Sequence, residues 1–176
     1  MKGVKSRYRM RWLFELAAFL LLILLINTWQ SRDAPTGTAP DFTGTLLDGS
    51  RAALSHFRGR PVLLHFWATW CPVCAMEQGT IDALAEEYQV VTVAIDDDSA
   101  AVQDYLRTRG FDYPVIHDPD GAIARTYAIR GIPASFVLDA EGRIRFVEMG
   151  YTTGLGLRLR LWWAGRNRHT MAASGT

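Results

Sequence analysis

Only two cysteines occur in the 176 residues, Cys71 and Cys74, three positions apart. That scarcity excludes a disulfide-stapled scaffold, and it leaves a tetrahedral zinc site short of ligands, because no further cysteine and no histidine pair at ligand spacing is present. Ala75 stands where a haem-attachment motif requires histidine. A net charge of only +1 provides no electrostatic footprint for nucleic acid. The acidic runs Asp96-Asp97-Asp98 and Asp118-Pro119-Asp120-Gly121 lack the twelve-residue loop and closing Glu of a calcium site, so they read as solvated turns and a helix cap. Acid is also missing from the first eleven residues, and Asn27 to Arg32 contains no small-residue cleavage site and no cysteine for lipidation.

What the N-terminus does contain is a basic cluster (Lys2, Lys5, Arg7, Arg9, Arg11) followed by an apolar stretch from Trp12 to Trp29. Such a stretch is long enough to span a bilayer, and flanking positive charge keeps its own side cytoplasmic. The expectation is a cytoplasmic segment over 1–11, an uncleaved transmembrane anchor over 12–29, a Pro-, Gly- and Thr-rich linker over 30–40, one domain over 41–165 outside the cytoplasm, and a disordered tail over 166–176. A chain with 49% hydrophobic residues has enough apolar side chains for one such core.

Within the domain, Asp41 to Arg60 carries short strand-like pieces with a turn at Asp48-Gly49, which suggests a hairpin covering a sheet edge. Pro61 to Phe66 reads as a buried strand, Pro72 onward as a helix whose amphipathic run reaches Tyr88, and Val90 to Ile95 as a second buried strand. Ser99 is positioned to cap a helix that stops at Gly110. A short extended piece over 113–116, a turn, and a short helix over 122–127 follow. Ala134 to Leu138 and Arg143 to Val147 form strands joined across Asp139–Gly142. Leu155, Leu159 and Trp162 share one face of a last helix over 153–164, with Thr153 as its cap. This order describes an α/β domain with a mixed sheet.

The dithiol therefore falls at a strand-to-helix junction, with Cys71 at the helix N-terminus. Unpaired N–H groups and the positive end of the helix stabilise a thiolate there, and the thiolate is the species that attacks disulfides. A loop this short removes little unfolded-state entropy, so the pair is read as chemical rather than structural. Glu77 lies three residues after Cys74 on the same helical face. Buried there it would have a raised pKa and could accept the Cys74 proton; the bland alternative is a surface Glu. His65, on the strand below, is either a second proton acceptor or a packed core histidine with one hydrogen bond. Trp67 suits the core and Trp70 a groove wall, while His56, His117 and His169 read as surface. Arg158, Arg160, Arg166 and Arg168 form a basic patch that reads by default as a solvated helix face, with anionic lipid or an acidic partner as the alternatives.

Phe66-Trp67-Ala68-Thr69-Trp70-Cys71-Pro72-Val73-Cys74 resembles the active-site segment of the thioredoxin superfamily, and Tyr127-Ala128-Ile129-Arg130-Gly131-Ile132-Pro133 resembles the loop that delivers its cis-proline. The extra helix and strand over 99–119, the apolar N-terminus and Ala39-Pro40-Asp41-Phe42 make the chain similar to the membrane-tethered TlpA/ResA group. Cys-Pro-Val-Cys with Leu157 to Trp163 resembles the suppressor-for-copper-sensitivity D branch. The resemblance implies a thioredoxin fold with an N-terminal β-hairpin extension and a central helix-strand insertion, preceded by one transmembrane helix. It also implies Cys71 as an exposed attacking thiol, Cys74 as a buried resolving thiol, and a substrate groove of Trp70, Pro72, Ile132 and Pro133, with no cofactor or resident metal. The expected protein is a thiol-disulfide oxidoreductase in a bacterial inner membrane. It would exchange electrons with cysteine-containing exported proteins in the periplasm, more often as reductant, and be recharged by a membrane electron donor of the thiol-disulfide interchange type. The rival reading is a copper-binding or chaperone-like module on the same scaffold, since two soft thiolates suit Cu(I).

Overall fold

The structure, a computed structural model, describes residues 11–19, 21, 22, 25, 32–96 and 98–166. It divides into two units, 1–32 and 33–176. In the first, residues 11–19, 21, 22 and 25 are helical and exposed. Among the described residues no helix is long and apolar enough to cross a membrane. The span expected over 12–29 thus gains no support here, and part of it lies outside the described residues. So do the basic segment over 1–10, the tail over 167–176 and His169.

The second unit is built on a seven-stranded sheet. Its elements are β1 (Thr43–Leu46), β2 (Arg51–Ala53), a 3-10 turn (Leu54–Phe57), β3 (Val62–Trp67), α1 (Pro72–Ala85), β4 (Gln89–Ala94), α2 (Ser99–Arg109), β5 (Val115–His117), α3 (Ala122–Thr126), β6 (Ala134–Leu138), β7 (Ile144–Met149) and α4 (Gly154–Arg166). Strand order is β2-β1-β5-β4-β3-β6-β7. The β3-β4 and β4-β5 pairs are parallel and the others antiparallel, which is the mixed α/β arrangement expected. β3 lies near the centre and is buried at all six positions, as a strand covered on both faces should be, with His65 its one polar residue. Alternation along it sends Leu63 and Trp67 to the side of α1 and α4, and Val62, Leu64 and Phe66 to the side of α3, seeding the two cores. His65 follows Leu63 and Trp67 to the α1 side.

Four local expectations are corrected. The α2 cap is Asp98, whose carboxylate accepts the Ala100 N–H at 2.8 Å; Ser99 is already helical, and Gly110 ends the helix at φ 70° as foreseen. The acidic turns are not all solvated: Asp96 and Asp118 are buried at 4% exposure, with Asp96 accepting from the Thr69 N–H and hydroxyl and Asp118 from two backbone N–H groups. Asp118 accepts the Ile123 and Ala124 N–H groups and so caps α3. Residues 33–40, expected as linker, are laid on the domain: Ala34 and Ala39 are buried, Thr38 bridges Arg143, and Ala39 N–H donates to Gly142 O at 2.9 Å. Finally, α4 buries Leu157, Leu161 and Ala164, while Leu155, Leu159 and Trp162 point outward. Both faces of this helix are apolar, so periodicity identified the helix without identifying its core face.

Candidate active site

β3 ends at Trp67, and the chain crosses to α1 through Ala68-Thr69-Trp70. This crossing is clamped from β4. Ile95 N–H donates to Trp67 O at 3.0 Å, and the Thr69 N–H donates to both carboxylate oxygens of Asp96 at 3.0 and 3.1 Å, with the Thr69 hydroxyl donating to the same group. Asp96 is a positioning residue that sequence reasoning missed. Only the parallel β3-β4 pairing brings it beside Thr69, 27 positions away.

Cys71 then caps α1 and Pro72 opens its first turn, where a missing N–H costs nothing. The Cys74 N–H donates to Cys71 Sγ at 3.1 Å. A backbone donor and the helix N-terminus therefore meet at one sulfur, and both favour its thiolate. Cys71 and Cys74 are closed as a disulfide with their Cα atoms 5.2 Å apart. Exposure is 5% for Cys71 and 0% for Cys74. The attacking sulfur expected to be open is thus only slightly more accessible than its partner, since in the oxidised form it is folded against Cys74 and lies 3.8 Å from Ile132 O.

Ile132-Pro133 is a cis peptide. Pro133 is buried and Ile132 half-buried. Pro133 O accepts the Gly150 N–H at 2.8 Å, which ties the loop to the end of β7. Around the sulfurs, Trp70 is 66% exposed and Val73 and Met76 are also open, while Pro72 is exposed beside them. Trp67 is fully buried with its ring against Tyr105 and Tyr113. The site residues named from sequence thus gather at one end of β3, with the apolar surface on the outside and the polar groups beneath.

Beneath the disulfide the two ionisable side chains differ. Glu77 is buried on the inner face of α1 with Cys74, and its Oε1 accepts the Thr152 N–H. Burial pushes its pKa up to about 7, against the lowering effect of that one hydrogen bond. Its Oε2 has no partner among the described residues. His65 shares a 2.9 Å hydrogen bond between Nδ1 and Ser135 Oγ, and complete burial pushes its pKa down to about 3. Burial thus keeps the His65 imidazole neutral near pH 7, while it brings the Glu77 carboxyl close to neutrality. His65 also belongs to a polar row, Thr92, His65, Ser135 and Glu148, in register across β4, β3, β6 and β7. Nothing in the sequence signalled this row, because its members come from four separate strands. Of the histidines read as surface, His56 is exposed, but His117 is half-buried with Nε2 2.8 Å from Asp96 O.

Among the described residues no group of three or more His, Cys, Asp and Glu side chains comes together as a metal-binding cluster. Residues 35–147 match the family model described as AhpC/TSA. The chain is 32% identical over 111 residues to the thiol-disulfide oxidoreductase ResA of Bacillus thuringiensis subsp. konkukian, covering 60% of this chain and 64% of that one. It is 38% identical over 109 residues to a thioredoxin-like protein of Haemophilus influenzae, covering 61% and 65%. Among solved structures it resembles the thiol:disulfide interchange protein, thioredoxin family protein, of Chlorobium tepidum TLS, with TM-score 0.66 and 28% identity over 75% of this chain and 98% of that one. It also resembles the secreted thiol-disulfide isomerase of Corynebacterium glutamicum, with TM-score 0.68 and 26% identity over 72% and 84%. The aligned stretch spans just under two thirds of the ResA relative's length. The match over 35–147, with the Cys71-Cys74 pair set at the head of α1 against the Ile132-Pro133 loop, places this chain in the AhpC/TSA family, with a thioredoxin-like domain homologous to the ResA/TlpA-type thiol-disulfide oxidoreductases.

Proposed function

We propose that the chain is a membrane-tethered thiol-disulfide oxidoreductase that reduces cysteine-containing exported proteins on the periplasmic side of a bacterial inner membrane. The observation that carries this reading is the Cys71-Cys74 disulfide at the start of α1, facing the Ile132 carbonyl. In the reduced protein the Cys71 thiolate attacks one sulfur of a partner disulfide, forming a mixed disulfide and releasing the partner's first thiolate. Cys74 gives its proton to Glu77 and attacks Cys71 Sγ, breaking the mixed disulfide and releasing the second thiolate. Two electrons pass to the partner and the domain ends oxidised. Trp70, Pro72, Ile132 and Pro133 line the place where an extended substrate segment would lie, with backbone groups of the loop as its hydrogen-bond partners.

The anchor over 12–29 and the periplasmic placement rest on the basic cluster and apolar stretch of the N-terminus. The reducing direction, the membrane electron donor and the suppressor-for-copper-sensitivity D branch rest on the resemblance alone. The test of activity is reduction of insulin disulfides by dithiothreitol. The purified chain should accelerate it, Cys71→Ser should not, and a titration with Cu(I) run in parallel examines the metal-binding rival. A chain inert towards insulin but able to bind Cu(I) tightly overturns the reading. Cys74→Ala, which forms mixed disulfides without resolving them, should capture both the exported substrate and the donor in membranes.

A further inference from the structure

Helix α4 has a second apolar face that is largely exposed among the described residues. Leu155, Leu159 and Trp162 are 69%, 57% and 52% exposed, and Trp163, its ring packed against Phe146, is 43% exposed, whereas Leu157, Leu161 and Ala164 fill the core. At 100° per residue these two sets lie on opposite sides of the helix. The flanks are held down: Arg158 pairs with Glu87 at 2.7 Å and Arg160 with Glu148 at 2.7 Å. Arg166 instead lies on the outward side, its guanidinium 4.5 Å from the ring centre of Trp162. No acidic residue occurs between Gly154 and Arg166. Outward leucine and tryptophan with arginine and no acid is the composition of a helix lying in a membrane interface.

The covalent structure supplies a reason for a bilayer to be there. Because the domain begins at Asp33, only residues 30–32 separate it from the proposed anchor. Four chain links span at most about 14 Å, so an anchor over 12–29, if it spans the membrane as proposed, would hold the start of the domain close to the bilayer. A groove of about 340 Å³ beside the last turn of α4, lined by Arg60, Glu87, Trp162 and Arg166 among others, offers two guanidinium groups to a lipid phosphate, with Glu87 already engaged by Arg158. The exposed stripe has four large apolar side chains, far fewer than the 20 to 30 residues per partner that a stable dimer interface uses.

We propose that the outer face of α4 lies in the interface of the phospholipid bilayer, docking the domain on the membrane. This rests on the tethered reading above, since the tether supplies the proximity. α4 packs against α1, which carries the dithiol at its N-terminus, and against β6.

Residues 33–176 form a unit with its own core, so the test uses this segment. Its binding to vesicles of phosphatidylethanolamine and phosphatidylglycerol is measured by co-sedimentation. The double variant Leu159→Ser/Trp162→Ser should lower partitioning by about tenfold, and Leu155→Ser by about threefold, since both remove interfacial apolar area. Both should reduce insulin at the unaltered rate, which also reports that they fold. The absence of vesicle binding by the unaltered segment, equal binding by the variants, or a lipid-free dimer that the double variant dissociates would each overturn the proposal. Carbonate extraction of the full chain examines the tether separately: release into the soluble fraction refutes the anchor, while vesicle binding of 33–176 still decides the role of α4.

Discussion

Glu77 and His65 lose water on the same side of the sheet, and burial acts on them in opposite senses. Glu77 is pushed from 4.5 up to about 7, so the folded protein binds more protons than the unfolded chain between those values, and this contribution to stability is lost as pH rises through them. His65 is pushed from 6.5 down to about 3, so the folded protein binds fewer protons there, and stability is lost as pH falls from about 6.5 towards 3. Between 4.5 and 6.5 the two slopes offset one another. Glu77→Gln should unmask the histidine: the melting temperature of the oxidised variant minus that of the unaltered protein should grow from pH 4.5 to 7, and a pH-independent difference would contradict the burial argument. The same substitution keeps the volume of Glu77 but removes the proton acceptor. General-base assistance is worth about 10²- to 10⁴-fold, so stopped-flow resolution of the mixed disulfide near pH 7 should slow by at least about tenfold while attack by Cys71 changes far less. Unchanged resolution at an unchanged melting temperature would exclude Glu77 from the step.

Among the elements, the β1-β2 hairpin depends on a close approach to the inserted strand. β1 pairs antiparallel with β5, and a Cβ built on Gly44 would lie 2.2 Å from Ile116 Cγ2, a contact that real side chains essentially never make. Gly44→Ala must push the hairpin away from Ile116 or displace a core side chain, at a cost of about 1–3 kcal/mol. Urea melts of both proteins check this, and a loss below about 0.5 kcal/mol would show that the hairpin is loosely seated. The hairpin, the turn at Asp139–Gly142 and the stop of α2 at Gly110 were all legible in the sequence, because each is set by residues a few positions apart. The cap at Asp98 was missed by one position, since Ser99 is an equally good capping residue type.

On the scale of the whole molecule, residues 33–40 are part of the fold. Ala34 and Ala39 fill the α3-side core, Ile144 N–H donates to Gly37 O at 2.8 Å, and Asp33 pairs with Arg130 in the loop that leads to Pro133. A protein starting at Asp41 should melt at least about 5 °C below one starting at Asp33, from the loss of that burial and those hydrogen bonds. Equal melting temperatures would return the segment to the status of a linker.

The sequence by itself determined the dithiol at a strand-to-helix junction, the order of strands and helices, and the mixed α/β class. Each is encoded in spacing over fewer than about fifteen residues: period two in strands, 3.6 in helices, and Gly, Pro or Asp at turns. Tertiary structure alone decided how deeply Glu77 and His65 are buried, which apolar face of α4 meets the core, and that Asp96 clamps Thr69 while Asp98, two positions on, remains exposed. Those outcomes depend on partners 27 to 75 positions away, such as Thr152 for Glu77, Ser135 for His65 and Asp96 for Thr69. A side chain's solvation is a property of everything packed around it, and no local period in the chain records that.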